Sequence, residues 1–150
     1  MKLLSKAIKL GQMLVQEGYL SDEQLSNALI RQKAGKKKLG ELLVDDHIVA
    51  QSAVLDCLSR RLGLDAVQLR PGLIDPHIVD TVDKEIAEQH MLMPMFKVGD
   101  TLTLAMAEPQ ALLVIDDLER STKLKIQPVI ALEANISESI KKILRTKCQN

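Results

Sequence analysis

Lys9-Leu-Gly-Gln-Met-Leu-Val-Gln-Glu-Gly18 and Lys38-Leu-Gly-Glu-Leu-Leu-Val-Asp-Asp-His47 spell one pattern twice, at an offset of 29 residues. The match holds for 24 positions, 9–32 against 38–61, with Lys33-Ala-Gly-Lys-Lys37 as the spacer. Lys9/Lys38, Leu10/Leu39, Gly11/Gly40, Leu14/Leu43, Val15/Val44, Leu29/Leu58 and Arg31/Arg60 are identical pairs. Apolar character is also kept at Met13/Leu42, Tyr19/Ile48, Leu20/Val49, Leu25/Val54 and Ala28/Cys57. Self-similarity of this length marks one supersecondary unit used twice. Two copies are too few for a solenoid, so a paired module with approximate two-fold symmetry is expected.

Within each copy the apolar spacing is helical. Leu10, Met13, Leu14 and Val15 lead to Gly18, a helix-ending glycine. Ser21 with Gln24 three residues on forms a capping box for a helix through Leu25, Ala28 and Leu29 that stops near Gly35. The second copy predicts a short helix through Leu39, Leu42 and Leu43, a break near His47, and a helix from about Ala50 to Leu62, closed by Gly63. Residues 1–63 therefore read as four helices.

Character changes between residues 63 and 72. Ala66–Leu69 reads as a short strand, and Asp75-Pro76 as the start of a helix running to about Glu88. Met91–Val98 and Thr101–Ala107 flank Gly99-Asp100, a two-residue hairpin turn with glycine first. Glu108-Pro109 opens a helix through Leu118, Leu124–Ile130 is a strand with Pro128 at an edge position, and Asn135 or Ser137 caps a last helix ending near Arg145. The expected fold is α+β: a duplicated four-helix module, residues 1–63, followed by a small α/β domain with a mixed sheet, residues 64–150.

Composition limits what such a chain can do. Apolar residues make up 46% of it, enough for a packed core, but aromatics only 1%, so base- or sugar-stacking platforms are not expected. The 20 basic residues balance the 20 acidic ones, which counts against a general nucleic-acid binder and against a helix-turn-helix DNA reader. Cys57 and Cys148 fit no metal or redox spacing, and Cys57 falls in a buried helical register. No run reaches the length of a membrane span, and lysines interrupt any would-be signal core near the N-terminus, so the expected location is cytoplasmic.

No enzymatic constellation is present. Ala34-Gly-Lys-Lys-Lys38 lacks the first glycine and the hydroxyl of a phosphate loop, and no Gly-x-Ser-x-Gly, His-Glu-x-x-His or Cys-x-x-Cys occurs. His47, His77 and His90 each stand alone near a helix end, and Met91, Met93 and Met95 alternate as a core-facing strand would. Neither catalytic residues nor a cofactor or metal are expected. The repeat offers binding instead. Each Lys-Leu-Gly sets a cation and a backbone without a side chain beside a helix start, which suits a phosphate. Lys36, Lys37 and Lys38 add to that field, Leu14-Val15 and Leu43-Val44 supply apolar wall, and the Gln32 amide suits a base edge. Two such places would fit a two-fold-symmetric ligand with two phosphates. Gly11 and Gly40 serve equally well as close-packing positions between helices, and spacing does not choose between these roles.

The doubled [Arg/Lys]-Leu-Gly-x-x-Leu-Val-x-x-Gly-x-Leu-x-x-x-x-Leu-x-x-Ala-Leu-x-x-Gln with a five-residue spacer resembles the N-terminal domain of type IV pilus-assembly and type II secretion ATPases. Met91-Leu-Met-Pro-Met-Phe-Lys-Val98, Leu102-Thr-Leu-Ala-Met-Ala-Glu-Pro109 and Asp116-Asp117-Leu118 look like the second part of that region, so the resemblance covers essentially the whole chain. Some family members bind cyclic di-GMP through the helical repeat. The resemblance implies a ligand site at Lys9, Leu10, Gly11, Leu14, Val15, Gly18, Leu25, Leu29 and Gln32 of copy one. In copy two it implies Lys38, Leu39, Gly40, Leu43, Val44, His47 and Arg61. Copy one departs from the pattern at Lys9 for Arg; copy two at Lys38 for Arg, His47 for Gly and Arg61 for Gln. A lysine is a point charge where arginine stacks and bonds bidentately.

Two functions follow from the resemblance. One is a regulatory domain that binds cyclic di-GMP across both repeats and biases an ATPase domain in the same or another chain. The other is an interaction module, without a small ligand, that docks such an ATPase to inner-membrane platform proteins of the secretion or pilus system. Hydrolysis of ATP is not expected of residues that hold no phosphate loop.

Overall fold

The computed structural model describes residues 10–35, 37–108 and 111–148, and the side chains of these up to residue 143. Its helices and three-stranded sheet make an α+β fold, divided into two compact units, Met1–Gly63 and Leu64–Asn150.

In the first unit, helix α1 covers residues 10–16, α2 Asp22–Ala34, α3 Leu39–Asp45 and α4 Gln51–Leu62. The repeat survives in its caps. The Tyr19 N–H donates to Leu14 O at 3.0 Å and Gly18 N–H to Val15 O at 3.1 Å; the Ile48 N–H donates to Leu43 O at 3.0 Å and His47 N–H to Val44 O at 3.0 Å. Both sets are Schellman caps, in which a left-handed residue lets two N–H groups reach back to the last turn's carbonyls. Gly18 takes that conformation at φ 84° and His47 at φ 58°. The histidine therefore adopts the same left-handed turn as the glycine of copy one, at a cost of about 1 kcal/mol. Ser21 and Gln24 form the full capping box of α2, and Gly63, at φ 69°, ends α4. The core repeats too: Leu10/Leu39, Leu14/Leu43, Leu20/Val49 and Ala28/Cys57 are all buried pairs.

The second unit holds a sheet of order β1-β2-β3, with β1 (Leu92–Val98) antiparallel and β3 (Lys125–Ile130) parallel to β2 (Thr101–Met106). Gly99, at φ 59°, makes the hairpin turn between the Val98↔Thr101 pair, and α6 (Leu112–Thr122) is the crossover that parallel strands require. Between Pro94 and Phe96 the register shifts, so Met95 is an extra residue whose carbonyl accepts the Asp75 N–H at 2.7 Å. Strand β3 is an edge, as Pro128 requires. Leu92, Leu104, Met106, Ile115 and Leu118 pack with Ile136 and Ile140 of α7 (Glu133–Cys148) as one core.

Five expectations change here. Ala66–Leu69 is not a strand: it contributes one parallel bridge, Ala66 to Ile130. The helix expected from Asp75 to Glu88 does not form. The Asp75 side chain takes the His77 N–H at 2.9 Å, a turn that competes with a helix start; a single 3₁₀ turn follows at Val79–Thr81, and only Lys84–His90 (α5) is helical. Ile74, Val79, Val82 and Ala87 are the buried positions, at spacings of 5, 3 and 5, which no single helix face provides. Helix α7 starts at Glu133, ahead of Asn135 and Ser137, with Ile136 N–H donating to Leu132 O. Met91 lies outside β1, as the left-handed cap of α5, so the alternating methionine face is reduced to Met93 and Met95. Helix α6 begins at Leu112 rather than Glu108; Pro109 lies outside the described residues.

Leu104 is wholly buried on the central strand, with partners in both neighbours. Leu104→Ala should lower the unfolding free energy of the Leu64–Asn150 unit by about 3 kcal/mol, read as a shift of the urea midpoint at unchanged slope.

Candidate functional site

The glycines of the two Lys-Leu-Gly motifs are packing positions. A Cβ built on Gly11 would lie 2.3 Å from Leu25 Cδ1, and one on Gly40 would lie 2.9 Å from Val54 Cγ1. Leu25 and Val54 are themselves a repeat-matched pair, so the same helix-on-helix approach is made twice. Gly40 also faces Leu10 Cδ2 at 3.5 Å, which joins the second copy to the first. Both glycines are buried, as are Leu10, Leu14, Leu39 and Leu43. Leu14 and Leu43 have no exposed surface, so they shape the helical unit from inside rather than offer a wall. Val15, Val44, Leu25 and Leu29 are partly accessible, and Gly18 stands exposed at its turn.

The polar residues divide differently. Lys9 lies outside the described residues, as does Lys36. The Lys37 ammonium is ion-paired with Asp45, which raises its pKa and cancels part of the expected cationic field. Lys38 is half-buried as the N-cap of α3, where the helical ladder begins with Leu42 N–H donating to Lys38 O. His47 is exposed at the other end of α3, so the two stand roughly 13 Å apart along the helix, too far to hold one phosphate. Arg61 is half-buried in the last turn of α4.

Gln32 has a more pointed chemistry. Its Oε1 is buried and has no hydrogen-bond partner among the described residues, although its main-chain carbonyl accepts the Gly35 N–H at 3.2 Å. A buried acceptor without a donor costs about 1–3 kcal/mol, a cost that a ligand N–H removes.

Four residues that the motif does not contain organise the same region. Arg31 of copy one is ion-paired with Asp46 of copy two, and Arg60 of copy two with Glu17 of copy one. Arg31/Arg60 and Glu17/Asp46 are repeat-matched, so the pairing is reciprocal, the mark of a two-fold arrangement. Arg60 also lies 2.9 Å from Asp56, and the Cys57 Sγ 3.7 Å from Glu17 Oε2. The Arg60 guanidinium holds the Glu17 carboxyl below its usual value of 4.5, while burial and then the Glu17 charge push the Cys57 thiol up. The acid/acid match at positions 17 and 46 was the available sequence signal.

A family model, the MshEN domain, matches residues 62–147. A type IV pilus assembly ATPase PilB from Myxococcus xanthus is 33% identical over 139 residues, covering 93% of this chain and 25% of that protein. The PilB of Acinetobacter baylyi is 27% identical over 131 residues, covering 83% of this chain and 22% of that protein. The chain thus spans about a quarter of the length of these curated relatives. Among solved structures, MshE with cyclic di-GMP is similar at a TM-score of 0.67 and 27% identity, covering 89% of this chain and 97% of that one. The N-terminal domain of XpsE has the same fold, with a TM-score of 0.61 at 24% identity, covering 89% of this chain and 92% of that one.

Gly11→Ala and Leu25→Ala should each destabilise the helical unit, and together cost less than their sum by about 1 kcal/mol, because truncating Leu25 makes room for the new methyl. Gly40→Ala with Val54→Ala should repeat the result, read by thermal unfolding of all four single and double variants. Because the Glu17 carboxyl is lowered in the folded state, its pairing stabilises fully above the ordinary carboxylate range and is lost as pH falls through its lowered value. The melting-temperature deficit of Glu17→Gln should therefore be largest at pH 7 and shrink towards pH 3.

Proposed function

Since the chain belongs to the MshEN domain family and is related to the N-terminal domains of type IV pilus and type II secretion ATPases, we propose that it binds cyclic di-GMP across its two helical repeats and so regulates such an ATPase. The observation that carries this reading is the buried, unpartnered Gln32 Oε1, at a motif position the sequence marks for a base edge. A guanine presents N–H donors that suit this oxygen. The similarity to MshE with cyclic di-GMP supports the ligand class, and the reciprocal pairing of the repeats suits a two-fold-symmetric dinucleotide.

The two half-sites are chemically unequal. Gln32 offers an acceptor, whereas its repeat partner Arg61 carries only donors. The first half-site suits the donor edge of one guanine; the second suits the O6 and N7 acceptors of the other. Lys9 and Lys38 supply the charge for the phosphates, as point cations rather than as stacking guanidinium planes. The partly accessible Val15 and Val44 flank the bases, and Leu14 and Leu43 hold the helices beneath them. The ATPase domain would lie in the same or another chain, with the assembly in the cytoplasm and held at the inner membrane through a partner. Among the described residues no helix is long and apolar enough to cross a membrane.

A docking role has its own support. Leu112 and Leu113, at the start of α6, are 68% and 79% exposed, a bare aliphatic pair that suits a protein partner such as an inner-membrane platform protein. Capture of such a protein by the chain, with and without cyclic di-GMP, separates the two roles: loss of capture in Leu112→Ser with Leu113→Ser and indifference to nucleotide would favour docking.

Titration calorimetry of the chain with cyclic di-GMP should give saturable heat. None at ligand concentrations of roughly tens of micromolar would end the nucleotide reading. Gln32→Ala should weaken binding about tenfold while leaving the melting temperature of the free protein unchanged or higher, since it removes an unsatisfied buried acceptor. A fall in both would mean that Gln32 is structural.

A further inference from the structure

We propose that the crossed ion pairs Arg31–Asp46 and Arg60–Glu17 are positioning groups: they hold the two half-sites in register, so that ligand affinity depends on four side chains that need not touch the ligand. The affinity part of this inference rests on the nucleotide reading above.

Each pair joins the places that matter for the site. Arg31 directly precedes Gln32 near the end of α2, and Arg60 directly precedes Arg61 near the end of α4. Asp46 directly precedes the left-handed His47, and Glu17 the left-handed Gly18. One tie therefore runs from the base-reading end of copy one to the helix cap of copy two, and the other runs the opposite way. Because the ties are related by the repeat, sliding or rotating one copy against the other disturbs both at once.

Their energetics favour positioning over stability. The Arg31 and Asp46 side chains are 58% and 24% exposed, and those of Arg60 and Glu17 48% and 29%. Ion pairs this open to water add little to folding, yet a guanidinium on a carboxylate fixes direction as well as distance. Of the apolar contacts beneath them, Gly11 on Leu25 and Gly40 on Val54 act within each copy, and Gly40 on Leu10 joins the copies without the directionality of an ion pair. The ties act between copies, and Arg60 is further braced by Asp56 at 2.9 Å on its own helix.

The test combines hydrogen exchange with calorimetry on the full chain. In the free protein, Arg31→Gln should speed exchange at residues 44–49 of the other copy more than at residues 15–20, and Arg60→Gln should do the reverse. Each variant should bind cyclic di-GMP about three- to fivefold more weakly. Arg31→Asp combined with Asp46→Arg, which restores the pair with its charges exchanged, should recover both the exchange pattern and most of the affinity. Exchange that rises only within the substituted copy would overturn the proposal, and so would full affinity in both single variants or no recovery in the exchanged pair. If the unaltered chain binds no cyclic di-GMP, the nucleotide reading falls with the affinity part, while the crossed exchange pattern would still support the ties themselves.

Discussion

The close approach of helices at Gly11 and Gly40 is the constraint from which the helical unit follows. A methyl at either position would collide with the aliphatic residue facing it, Leu25 Cδ1 at 2.3 Å or Val54 Cγ1 at 2.9 Å. Without the methyl, the first helix of each copy settles on the second deeply enough to bury Leu10, Leu14 and Ala28, or Leu39, Leu43 and Cys57. The approach also fixes where each first helix must end. A left-handed residue, Gly18 or His47, then turns the chain while two N–H groups close the helix behind it. Glu17 and Asp46 stand just before these turns, where the arginine of the opposite copy meets them. Packing sets the turns, and the turns set the charges.

The same constraint changes what the repeated motif means. A Lys-Leu-Gly read alone suits a phosphate, but here the glycine is spent on Leu25 or Val54 and Lys37 is committed to Asp45. The unsatisfied polar atom among the described motif residues is Gln32 Oε1, on the second helix of copy one, beside an arginine that ties the copies together. Gln32 can accept where Arg61 only donates, so the nearly symmetric frame is asymmetric in its hydrogen bonding.

The helical half was legible in the sequence because its signals are local. Period, capping box and helix-ending glycine each act over a few residues, and duplication states the period twice. His47 was the exception in that half: histidine is among the residues that tolerate a left-handed φ, so loss of glycine did not mean loss of the turn. The stretch from Asp75 to Asp83 was misread because an aspartate that takes the N–H two residues on closes a turn as readily as it caps a helix. Here it takes the His77 N–H two residues on, and the core then claims Val79 and Val82 at a spacing no helix meets. Ala66–Leu69 has strand composition but only one place to pair, beside Ile130. The orphaned Gln32 Oε1 was not legible at all, because burial without a partner depends on every helix around it.

Family and function rest on different parts of this chain. The family model matches residues 62–147, which are almost wholly the α/β unit, whereas the features that suit a dinucleotide lie in residues 9–61. Membership therefore does not by itself carry the ligand. A sheet core such as Leu92, Leu104, Met106 and Ile136 tolerates exchange among aliphatics, so it preserves a family likeness without preserving a site. The helical repeat has less freedom, since a Cβ at Gly11 or Gly40 would force Leu25 or Val54 to shift. This chain heads both motifs with Lys and has His47 and Arg61 opposite the Gly18 and Gln32 of copy one, while His47 keeps the left-handed turn of Gly18. On that frame positions 32 and 61 carry different chemistry, an amide in copy one and a guanidinium in copy two.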